Sequence, residues 1–540
     1  MKVKTVPSRN QLFHTEGKEM KLKTTALSLA ILLAAQLVNA GEFLVKYKNT
    51  AALNKIASMQ TEAFGLEMKS IHRPGNLVRV AIPKNQEAKT IASLYGDKNV
   101  EYVVPNFKLH SFEAPLDPVA LKEQYALTKV NAQQAWTRAG NKGSRNVLLA
   151  VIDTGADYKH KNLAANMVQG HDFRDNDEDP MDLTSAQNPG HGTHCSGIIG
   201  ATGVVEGGTS GISPEVSIMP LRFLGADGSG SLEGGIAAID YAIEHKVQVI
   251  SASWGASVPL STAKPLVEAI DRAEKAGIIF VTAAANDGKN NDTTDVYPAN
   301  AGLPNMITVA ASGATDAKPS WSNYGKARVS LAAPGENIMS TVPGDKYSNM
   351  SGTSMATPLV AGLVAFLKAQ DPTLTGIEIK ALLQTTGAKV SIETACNCRV
   401  DAFAAVDTLL AKKAWLAPAA ATLDEKATVQ FAMKNAGGSV RFESSNPAVL
   451  SIDANGLATA VAKGTVTVKA TDASGVSAQS LAINVGAGAS QPPSQPPTDP
   501  GQPPTEPPGG GDGECPIGDK ATCDMICQIM PTAPWCSATK

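Results

Sequence analysis

GTSMATP, at residues 352–358, is the most informative segment of this 540-residue chain. It places Ser354 among small residues directly ahead of an apolar run, LVAGLVAFL. This order predicts a tight turn that enters a buried helix, with the serine in the first helical turn. Free N–H groups and the helix dipole favour negative charge there, and Gly352 allows the backbone to approach a ligand closely. Ser354 is therefore a candidate nucleophile, which requires a base and an orienting acid.

Three further polar residues follow or precede runs of apolar or small residues. Asp153 ends the run NVLLAVI, which is typical of a buried parallel strand, and open α/β sheets carry their sites at the carboxyl ends of such strands. His191 opens HGTH ahead of a second helix start. Asn286 follows the strand-like run GIIFVTA, and its amide can donate to an oxyanion. The chain thus supplies an acid, a base, an amide donor and a nucleophile, in that order.

The order of DTG, HGTH and GTSMATP resembles the subtilisin-like serine proteases, the subtilase family, close to the branch of proteinase K and thermitase. The resemblance spans about residues 111–412 of the chain. It implies an α/β fold, a three-layer sandwich around a mostly parallel central sheet. It also implies a secreted serine endopeptidase that hydrolyses polypeptides through an acyl-enzyme and is made as a self-processed zymogen.

The resemblance assigns a role to each of the four residues. Ser354 attacks the peptide carbonyl, and His191 takes its proton and returns it to the leaving amine. Asp153 orients the imidazole. The Asn286 side chain and the Ser354 N–H form the oxyanion hole. By the same resemblance His194 is structural, whereas Cys195 is either a packing residue near the catalytic histidine or a thiol sensitive to mercurials.

The resemblance further implies that the substrate binds as an added β-strand between two glycine-bearing segments. The residues expected to line the site are Gly228, Ser229, Gly230, Ser253, Trp254, Gly255, Ala284 and Ala285. The family usually has glycine immediately before the oxyanion asparagine, so the methyl group of Ala285 should narrow or reshape the S1 pocket. Asp287 follows Asn286, which leaves two alternatives: an acid that favours a basic P1 residue, or a solvated loop acid.

An acidic loop, HDFRDNDEDPMD, precedes HGTH. It contains six acids in the eleven positions 172–182, and alternating oxygen donors of this kind suit Ca²⁺. Thermitase-like members of the family carry calcium in the matching loop, so we expect a structural Ca²⁺ ion. The candidate ligands are Asp172, Asp175, Asp177 and Asp182. A solvated acidic loop is the alternative.

The segments before the catalytic part predict export and delayed activation. Residues 1–40, or 20–40 if Met20 is the true start, have the basic, apolar and small-residue pattern of a signal peptide. Residues 41–112 resemble the inhibitory pro-segment of subtilases, which has a small α+β ferredoxin-like fold. In that family the pro-segment is released by self-cleavage and its end occupies the active site like a product. We expect the cut between positions 109 and 116, ahead of a catalytic domain at 113–413.

The segments after the catalytic part differ from it in composition. Residues 414–487 resemble bacterial group 2 Ig-like domains, which are β-sandwiches and serve as spacers or as surface and glycan binders. Residues 488–513 are a Pro/Gly-rich linker, and residues 514–540 form a cysteine-rich tail. Exported cysteines favour disulfides over a zinc site, whose ligands would be paired differently. The candidate disulfide cysteines are Cys515, Cys523, Cys527, Cys536, Cys396 and Cys398.

The composition narrows the class of partner. Lys and Arg number 47 and Asp and Glu 50, which gives a formal net charge of −3, and this balance does not favour a nucleic-acid partner. Apart from the signal segment we find no transmembrane candidate, and we expect an exported monomer of bacterial type. The rival interpretation is a surface-binding protein with an inactive protease fold, which the presence of all four catalytic-type residues disfavours.

Overall fold

The computed structural model describes residues 40–58, 66–112 and 124–486. They fall into two compact units, which divide between Asn106 and Phe107 and are described separately. The predicted signal peptide, apart from Ala40, lies outside the described residues, as do the linker and the tail with its four cysteines.

The N-terminal unit is a four-stranded antiparallel sheet with two helices, in the strand order β2-β3-β1-β4. Its elements are β1 (Ala40–Tyr47), α1 (Thr50–Ser58), β2 (Glu67–His72), β3 (Leu77–Pro83), α2 (Glu87–Gly96) and β4 (Val100–Pro105). Alternate residues of the strands, such as Phe43, Val45 and Val80, pack with Leu53 and Ile91 of the helices into one core. The chain order βαββαβ is the ferredoxin-like order that the sequence predicts.

The second unit begins with the catalytic part, whose strands are short and mostly buried. They are β5 (Lys108–Ser111), β6 (Leu148–Asp153), β7 (His171–Asp172), β8 (Ser217–Arg222), β9 (Ser229–Ser231), β10 (Val249–Ala252), β11 (Trp254–Gly255), β12 (Ile279–Ala283), β13 (Met306–Ser312), β14 (Leu331–Pro334), β15 (Ile338–Val342), β16 (Lys346–Met350), β17 (Ala388–Lys389) and β18 (Cys398–Arg399). Its helices are α3 (Tyr125–Lys129), α4 (Ala132–Ala139), α5 (His191–Gly200), α6 (Leu232–Glu244), α7 (Leu260–Lys275), α8 (Thr353–Gln370), α9 (Gly376–Thr386) and α10 (Ala402–Leu410).

The central sheet has nine strands in the order β17-β18-β14-β13-β12-β10-β6-β8-β7, and every pairing but that of β17 with β18 is parallel. One face, with Leu149 and Val151 of β6, packs on α4, α5, α8 and α10. On the other side α6 and α7 contact β6 and β12. These three layers place the carboxyl ends of β6, β10 and β12 side by side, so the residues that follow these strands meet at one edge.

A β-sandwich-like domain completes the second unit. Its strands are β19 (Trp415–Ala417), β20 (Ala421–Leu423), β21 (Thr428–Gln430), β22 (Ala432–Lys434), β23 (Val440–Ser444), β24 (Leu450–Ile452), β25 (Leu457–Ala460), β26 (Gly464–Val466), β27 (Val468–Asp472), β28 (Ser477–Gln479) and β29 (Ile483–Val485). Leu416, Phe431 and Leu450 belong to its core, and Phe442 packs against that core half-buried. Among the described residues, no helix combines the length and the hydropathy needed to cross a bilayer.

Candidate active site

Ser354 lies in the first turn of α8, which runs through the core of the catalytic part. Residues 353–367 of this helix are all buried, so it has no solvent face. Gly352 precedes the helix, and a Cβ atom at that position would lie 2.6 Å from the main-chain oxygen of Phe112. Glycine is therefore required for this close approach. The turn and the buried helix are the local structure that the sequence predicts around Ser354.

Asp153 and His191 form a buried pair. Asp153 is the last residue of β6, and His191 is the first residue of α5. The Nδ1 atom of His191 lies 2.6 Å from Oδ1 of Asp153, and both side chains are almost inaccessible to solvent. The Thr154 N–H also donates to Oδ1 of Asp153, at 2.8 Å. Because this carboxylate engages Nδ1, Nε2 is the ring nitrogen left for proton transfer.

Asn286 is oriented by Thr353, a contact that the sequence analysis missed. The N–H and the hydroxyl of Thr353 both donate to Oδ1 of Asn286, each at 2.9 Å. With its oxygen held in this way, Asn286 presents its Nδ2 donor group, which lies 2.9 Å from the main-chain oxygen of Phe112. The threonine inside GTSMATP was the available signal, because its hydroxyl is next to the nucleophile and can hydrogen-bond a neighbouring polar side chain.

β5 is the middle strand of a three-stranded sheet. β5 pairs antiparallel with β9 on one side and with β11 on the other. The Ser111 N–H donates to the oxygen of Gly228 at 3.1 Å, and the Phe112 N–H donates to that of Ser253 at 3.2 Å. The two glycine-bearing segments that the sequence analysis singled out therefore flank an extended peptide of this chain, which is strand addition within one molecule.

This strand ends with the carbonyl group of Phe112 at the candidate nucleophile. The Phe112 oxygen accepts hydrogen bonds from the Ser354 hydroxyl and from the Asn286 amide. Oγ of Ser354 also lies 3.0 Å from the main-chain oxygen of Ser253. A peptide carbonyl is thus held between a hydroxyl and a side-chain amide, beside the Asp153–His191 pair. A hydroxyl, a side-chain amide and an Asp–His pair are the types of group that acyl transfer at a peptide bond uses.

The side chain of Phe112 occupies an apolar pocket. It packs against the cluster of Ala285, Val296 and Ala299. A Cβ atom at Gly255 would lie 2.8 Å from the ring of Phe112, so the ring rests directly on the backbone of β11. Ala285 is fully buried, with φ at +91°, a region that residues other than glycine rarely adopt.

Two residues of the predicted substrate site behave differently from each other. Ala285 contributes to the pocket, whereas Ala284 packs into the core with Ala310 and Ala332 and belongs to a different cluster. Contact of Ala284 with the substrate therefore stays a prediction, and its methyl group is not part of the pocket around Phe112. Asp287 is exposed, in agreement with the solvated alternative.

His194 and Cys195 are buried next to the catalytic pair. Nε2 of His194 lies 2.9 Å from the oxygen of Ile338 and 3.0 Å from that of Ser348, and burial lowers the pKa of His194 to about 3. Cys195 is buried and takes part in no disulfide, and its thiol lies 3.4 Å from the main-chain oxygen of Ser354. Its sulfur, a ring nitrogen of His191 and an oxygen of Asp153 lie within 4.8 Å of one another, which is the proximity that the resemblance implies.

The four predicted calcium ligands do not come together. Arg222 forms ion pairs with Asp172 and with Asp175, the latter at 2.6 Å. Asp177 is exposed and accepts the N–H of Asp179 at 2.9 Å. Among residues 40–58, 66–112 and 124–486, these carboxylates form no group of three with converging ligand atoms. The four residues stay a prediction as calcium ligands, and in this structure two of them are paired with the Arg222 guanidinium group instead.

Asp182 serves a different purpose from the one predicted. It is buried, and its Oδ2 accepts the N–H and the hydroxyl of Thr193 at 2.9 and 2.7 Å. Its Oδ1 accepts the Asn188 amide at 2.9 Å. Burial raises the pKa of Asp182, and the hydrogen bonds from Thr193, Asn188 and Thr154 oppose that increase. Both oxygens of Asp182 accept hydrogen bonds from Thr193, in α5, or from Asn188, just before α5, so neither oxygen faces the other acids of the loop.

Comparison with known proteins places this chain among proteases. The profile of the subtilase family matches residues 144–411, and that of the bacterial Ig-like domain (group 2) matches residues 416–483. The chain is 36% identical over 351 residues to a thermophilic serine proteinase of Bacillus sp. (strain AK1), covering 65% of this chain and 83% of that protein. This chain belongs to the subtilase family. The predicted family, α/β fold, Ig-like domain and serine protease activity are confirmed.

Other relatives agree with this membership. The subtilase is 39% identical over 277 residues to thermitase of Thermoactinomyces vulgaris, covering 51% of this chain and 92% of thermitase. It also resembles the crystal structure of fervidolysin from Fervidobacterium pennivorans, a keratinolytic enzyme related to subtilisin. That match has a TM-score of 0.56 and 24% identity, and it covers 80% of this chain and 70% of fervidolysin. At this identity the likeness concerns the fold alone.

The six candidate disulfide cysteines divide into two groups. Cys396 and Cys398 are joined by a disulfide in the described part of the chain, as the sequence analysis expects. Cys515, Cys523, Cys527 and Cys536 lie outside the described residues, so their pairing stays a prediction. The Cys-Asn-Cys loop leads into β18, which begins at Cys398. In the sheet, β18 lies between β17 and β14.

Proposed function

We propose that this subtilase hydrolyses peptide bonds with Ser354 as nucleophile, His191 as general base and acid, and Asp153 as the group that orients the imidazole. The Asn286 amide stabilises the oxyanion, together with the Ser354 N–H. The observation that supports this assignment most directly is the Phe112 carbonyl oxygen, which accepts hydrogen bonds from both Ser354 and Asn286.

The reaction follows from these positions. Oγ of Ser354 bonds to the carbonyl carbon while its proton passes to Nε2 of His191, and the resulting oxyanion is held by Asn286. Collapse of this intermediate breaks the C–N bond, and His191 returns the proton to the leaving amine. A water molecule, deprotonated by His191, then cleaves the ester. The products are a peptide carboxylate and the regenerated Ser354 hydroxyl.

We further propose that the chain is a zymogen that cleaves itself between Phe112 and Glu113. This bond lies within the interval 109–116 expected from the sequence, and it closes the pro-segment at 112. Support comes from Ser111, the last residue of β5, and from Phe112, which follows it: their N–H groups donate to Gly228 on one side and to Ser253 on the other. After cleavage the same strand would remain as a product-like inhibitor until the pro-segment is degraded.

The pocket around Phe112 supports a preference for apolar P1 residues over basic ones. Its cluster consists of Ala285, Val296 and Ala299, which offer no charge to a cationic side chain. Leu109, the fourth residue before the proposed cut, is completely buried. A Cβ atom at Gly235 would lie 3.1 Å from Leu109, so this glycine makes room for a large apolar P4 residue.

We also propose that the protein is exported. The basic, apolar and small-residue segments between Met20 and Ala40 support this. A further relative, the halolysin-like extracellular serine protease Nep of Natrialba magadii, is extracellular by name and 33% identical over 319 residues. Contact of the C-terminal modules with a surface or a glycan stays a prediction, as does the monomeric state.

The test compares the precursor with its Ser354→Ala variant. We expect the unmodified chain to shorten, to yield a mature protein whose N-terminus is Glu113, and to degrade casein. The variant should stay full length and inactive. Ser451→Ala, an exposed hydroxyl of the Ig-like domain, is the matched control and should behave like the unmodified chain. Full-length protein and intact casein in all three samples would refute the proposal, and a different mature N-terminus would refute the cleavage site alone.

A further inference from the structure

The general base of this enzyme is also the first residue of its helix. His191 opens α5, so the direction of its side chain depends on the geometry of the first turn. The N–H groups of a first turn have no partners within the helix and must be satisfied from outside. The preceding residue, Gly190, has no side chain to do this. It cannot be larger, because a Cβ atom there would lie 2.2 Å from Pro343.

Three buried side chains from outside the helix accept hydrogen bonds from the N–H groups at the start of α5. Oδ1 of Asn188 accepts the N–H groups of Gly190 and His191 at 3.0 and 2.8 Å. Oγ1 of Thr154 accepts the N–H of Gly192 at 2.8 Å. Asp182 accepts the next N–H, that of Thr193, at 2.9 Å. We call Thr154, Asp182 and Asn188 the helix clamp.

Asp182 is the centre of the helix clamp. Besides Thr193 it accepts the Asn188 amide at 2.9 Å, and that bond leaves the Asn188 oxygen facing the His191 N–H. Asp182 and Asn188 are 3% and 1% exposed. In the described part of the chain the donors to Asp182 are neutral groups, and no cation pairs with it. A buried carboxylate in such a place is costly unless hydrogen bonds and the helix dipole compensate.

We propose that Asp182 is a positioning residue for His191: it fixes the amide orientation of Asn188 and the first turn of α5, and thereby holds the imidazole against Asp153. The inference rests on the proposed role of His191 as the base. Asp182 touches neither the peptide nor the reacting atoms. Displacement of a base by about 1 Å can cost about 10²-fold in rate, so removal of the clamp should lower kcat and leave KM almost unchanged.

The hydrogen-bond pattern allows a reciprocal test. In Asp182→Asn an NH₂ group replaces one carboxylate oxygen. That NH₂ group then faces a hydrogen-bond donor, either the Asn188 amide or Thr193, where the wild-type side chain offers an acceptor. In Asn188→Asp two carboxylates meet at hydrogen-bond distance and repel each other. The double exchange, Asp182→Asn with Asn188→Asp, restores one donor and one acceptor between the two positions. It also keeps an oxygen for the N–H groups of Gly190 and His191, although the bond from Asn188 to the Leu183 oxygen is lost.

The experiment measures kcat and KM on a chromogenic peptide, and the thermal unfolding midpoint of each variant. The concentration of active sites is determined by titration with a sulfonyl fluoride, so that kcat is given per active site. Each single exchange should lower kcat about 10- to 100-fold with KM within about twofold. The kcat of the double variant should be at least tenfold higher than that of the single variants. Glu206→Gln, at an exposed acid outside the helix clamp, is the control and should match the unmodified enzyme.

The outcomes separate this inference from the proposed function. Unchanged kcat per titrated site in the single variants, or a double exchange no better than the worse single one, overturns the role of Asp182. If the single variants fail to fold, Thr193→Val and Thr193→Ser replace them: the valine removes the 2.7 Å bond to Asp182 and should lower kcat, and the serine keeps it. If the unmodified enzyme has no activity that depends on Ser354, the proposed function fails instead.

Discussion

At the residue scale, the oxyanion site depends on the fixed orientation of one amide. Thr353 donates twice to the oxygen of Asn286, so the nitrogen of that side chain is the atom that meets the Phe112 carbonyl. A donor whose orientation is fixed before the reaction needs no reorganisation when charge develops. The asparagine therefore acts together with the residue that precedes the nucleophile.

Replacement of this amide should slow the chemistry and leave binding intact. Asn286→Ala should lower kcat about 10²- to 10³-fold, a figure first obtained for the corresponding amide of subtilisin. Thr353→Val keeps the amide and loses one of its two anchors, so its loss should be smaller, about tenfold. Initial rates on a chromogenic peptide measure both, and Thr353→Ser is the matched control. Equal rates for Asn286→Ala and the unmodified enzyme would contradict the assignment.

His194 should make the fold sensitive to acid. Its pKa is lowered by burial to about 3 in the folded protein, against an ordinary value of about 6.5. The unfolded chain therefore binds a proton between pH 6.5 and 3 that the folded chain does not. Stability should fall with decreasing pH across this window, by about 1.4 kcal/mol per pH unit for this group.

The measurement is the denaturant unfolding midpoint of Ser354→Ala protein between pH 6.5 and 4, which avoids self-digestion. His194→Gln removes the titrating group and should flatten this pH dependence, although its stability at pH 7 should be lower because bonds to Ile338 and Ser348 change. An equally steep dependence in both proteins would show that His194 is not the group responsible.

The sequence predicted these individual residues to different degrees. Asp153, His191, Asn286 and Ser354 could be singled out because each follows or begins a segment of distinctive pattern. Asp182 could not be placed correctly, because its loop has no periodicity and its partner, Thr193, is defined only after α5 packs against the loop. Acidic composition indicated a metal site in this loop, but it could not show that Arg222 pairs with Asp172 and Asp175 or that Asp182 bonds to the N–H of Thr193.

At the element scale, the contacts of β5 indicate which side chain the proposed substrate cleft accepts at P4. Its central residue, Leu109, pairs with Gly230 of β9 and is buried beside Gly235 of α6. Glycine is an unfavourable residue in a helix, so its presence at 235 is explained by the space that the leucine side chain occupies. The two flanking strands were predictable from their glycines, whereas this pocket depends on the packing of α6 and was not predicted.

Filling this pocket should change specificity without harm to the helix. The new methyl groups of Gly235→Val would occupy the space of Leu109. We expect the preference for Leu over Ala at P4, measured as kcat/KM on paired peptides, to fall by about tenfold. Gly277→Ala is the control, because it lies outside this pocket and its Cβ would meet no neighbour within 4 Å. The φ angle of Gly277 is +79°, so the control carries some backbone strain but should keep the preference at P4. An unchanged ratio in Gly235→Val would mean that Leu109 does not mark the P4 site.

At the scale of the whole molecule, the Ig-like domain is joined to the catalytic part by more than a linker. Trp415, in the first strand of that domain, is 1% exposed and belongs to the same core as α8 and α10. Its Nε1 donates to the oxygen of Glu378 in α9 at 3.1 Å, and Lys434 pairs with the Glu378 side chain at 3.0 Å. The composition of the sequence indicated two domains here, but it could not show that a residue after 413 completes the catalytic core.

Removal of this tryptophan should destabilise the catalytic part. Trp415→Ala should lower the free energy of unfolding by about 3–5 kcal/mol, the usual cost of deleting a large buried aromatic side chain. Phe442→Ala, half-buried within the Ig-like domain, should cost less and leave the catalytic part unaffected. Thermal unfolding in the Ser354→Ala background measures both. If truncation after Lys413 leaves the unfolding midpoint unchanged, the Ig-like domain is a spacer and this account of Trp415 is wrong.

The account as a whole depends on the activation of Ser354 by His191. The measurement that tests this most directly is labelling with a fluorophosphonate, followed by peptide mass spectrometry. We predict one adduct, on the peptide that contains Ser354, and none in folded His191→Ala protein. An enzyme that digests protein while Ser354 stays unlabelled, or a His191→Ala variant that labels as fast as the unmodified chain, would contradict the central claim.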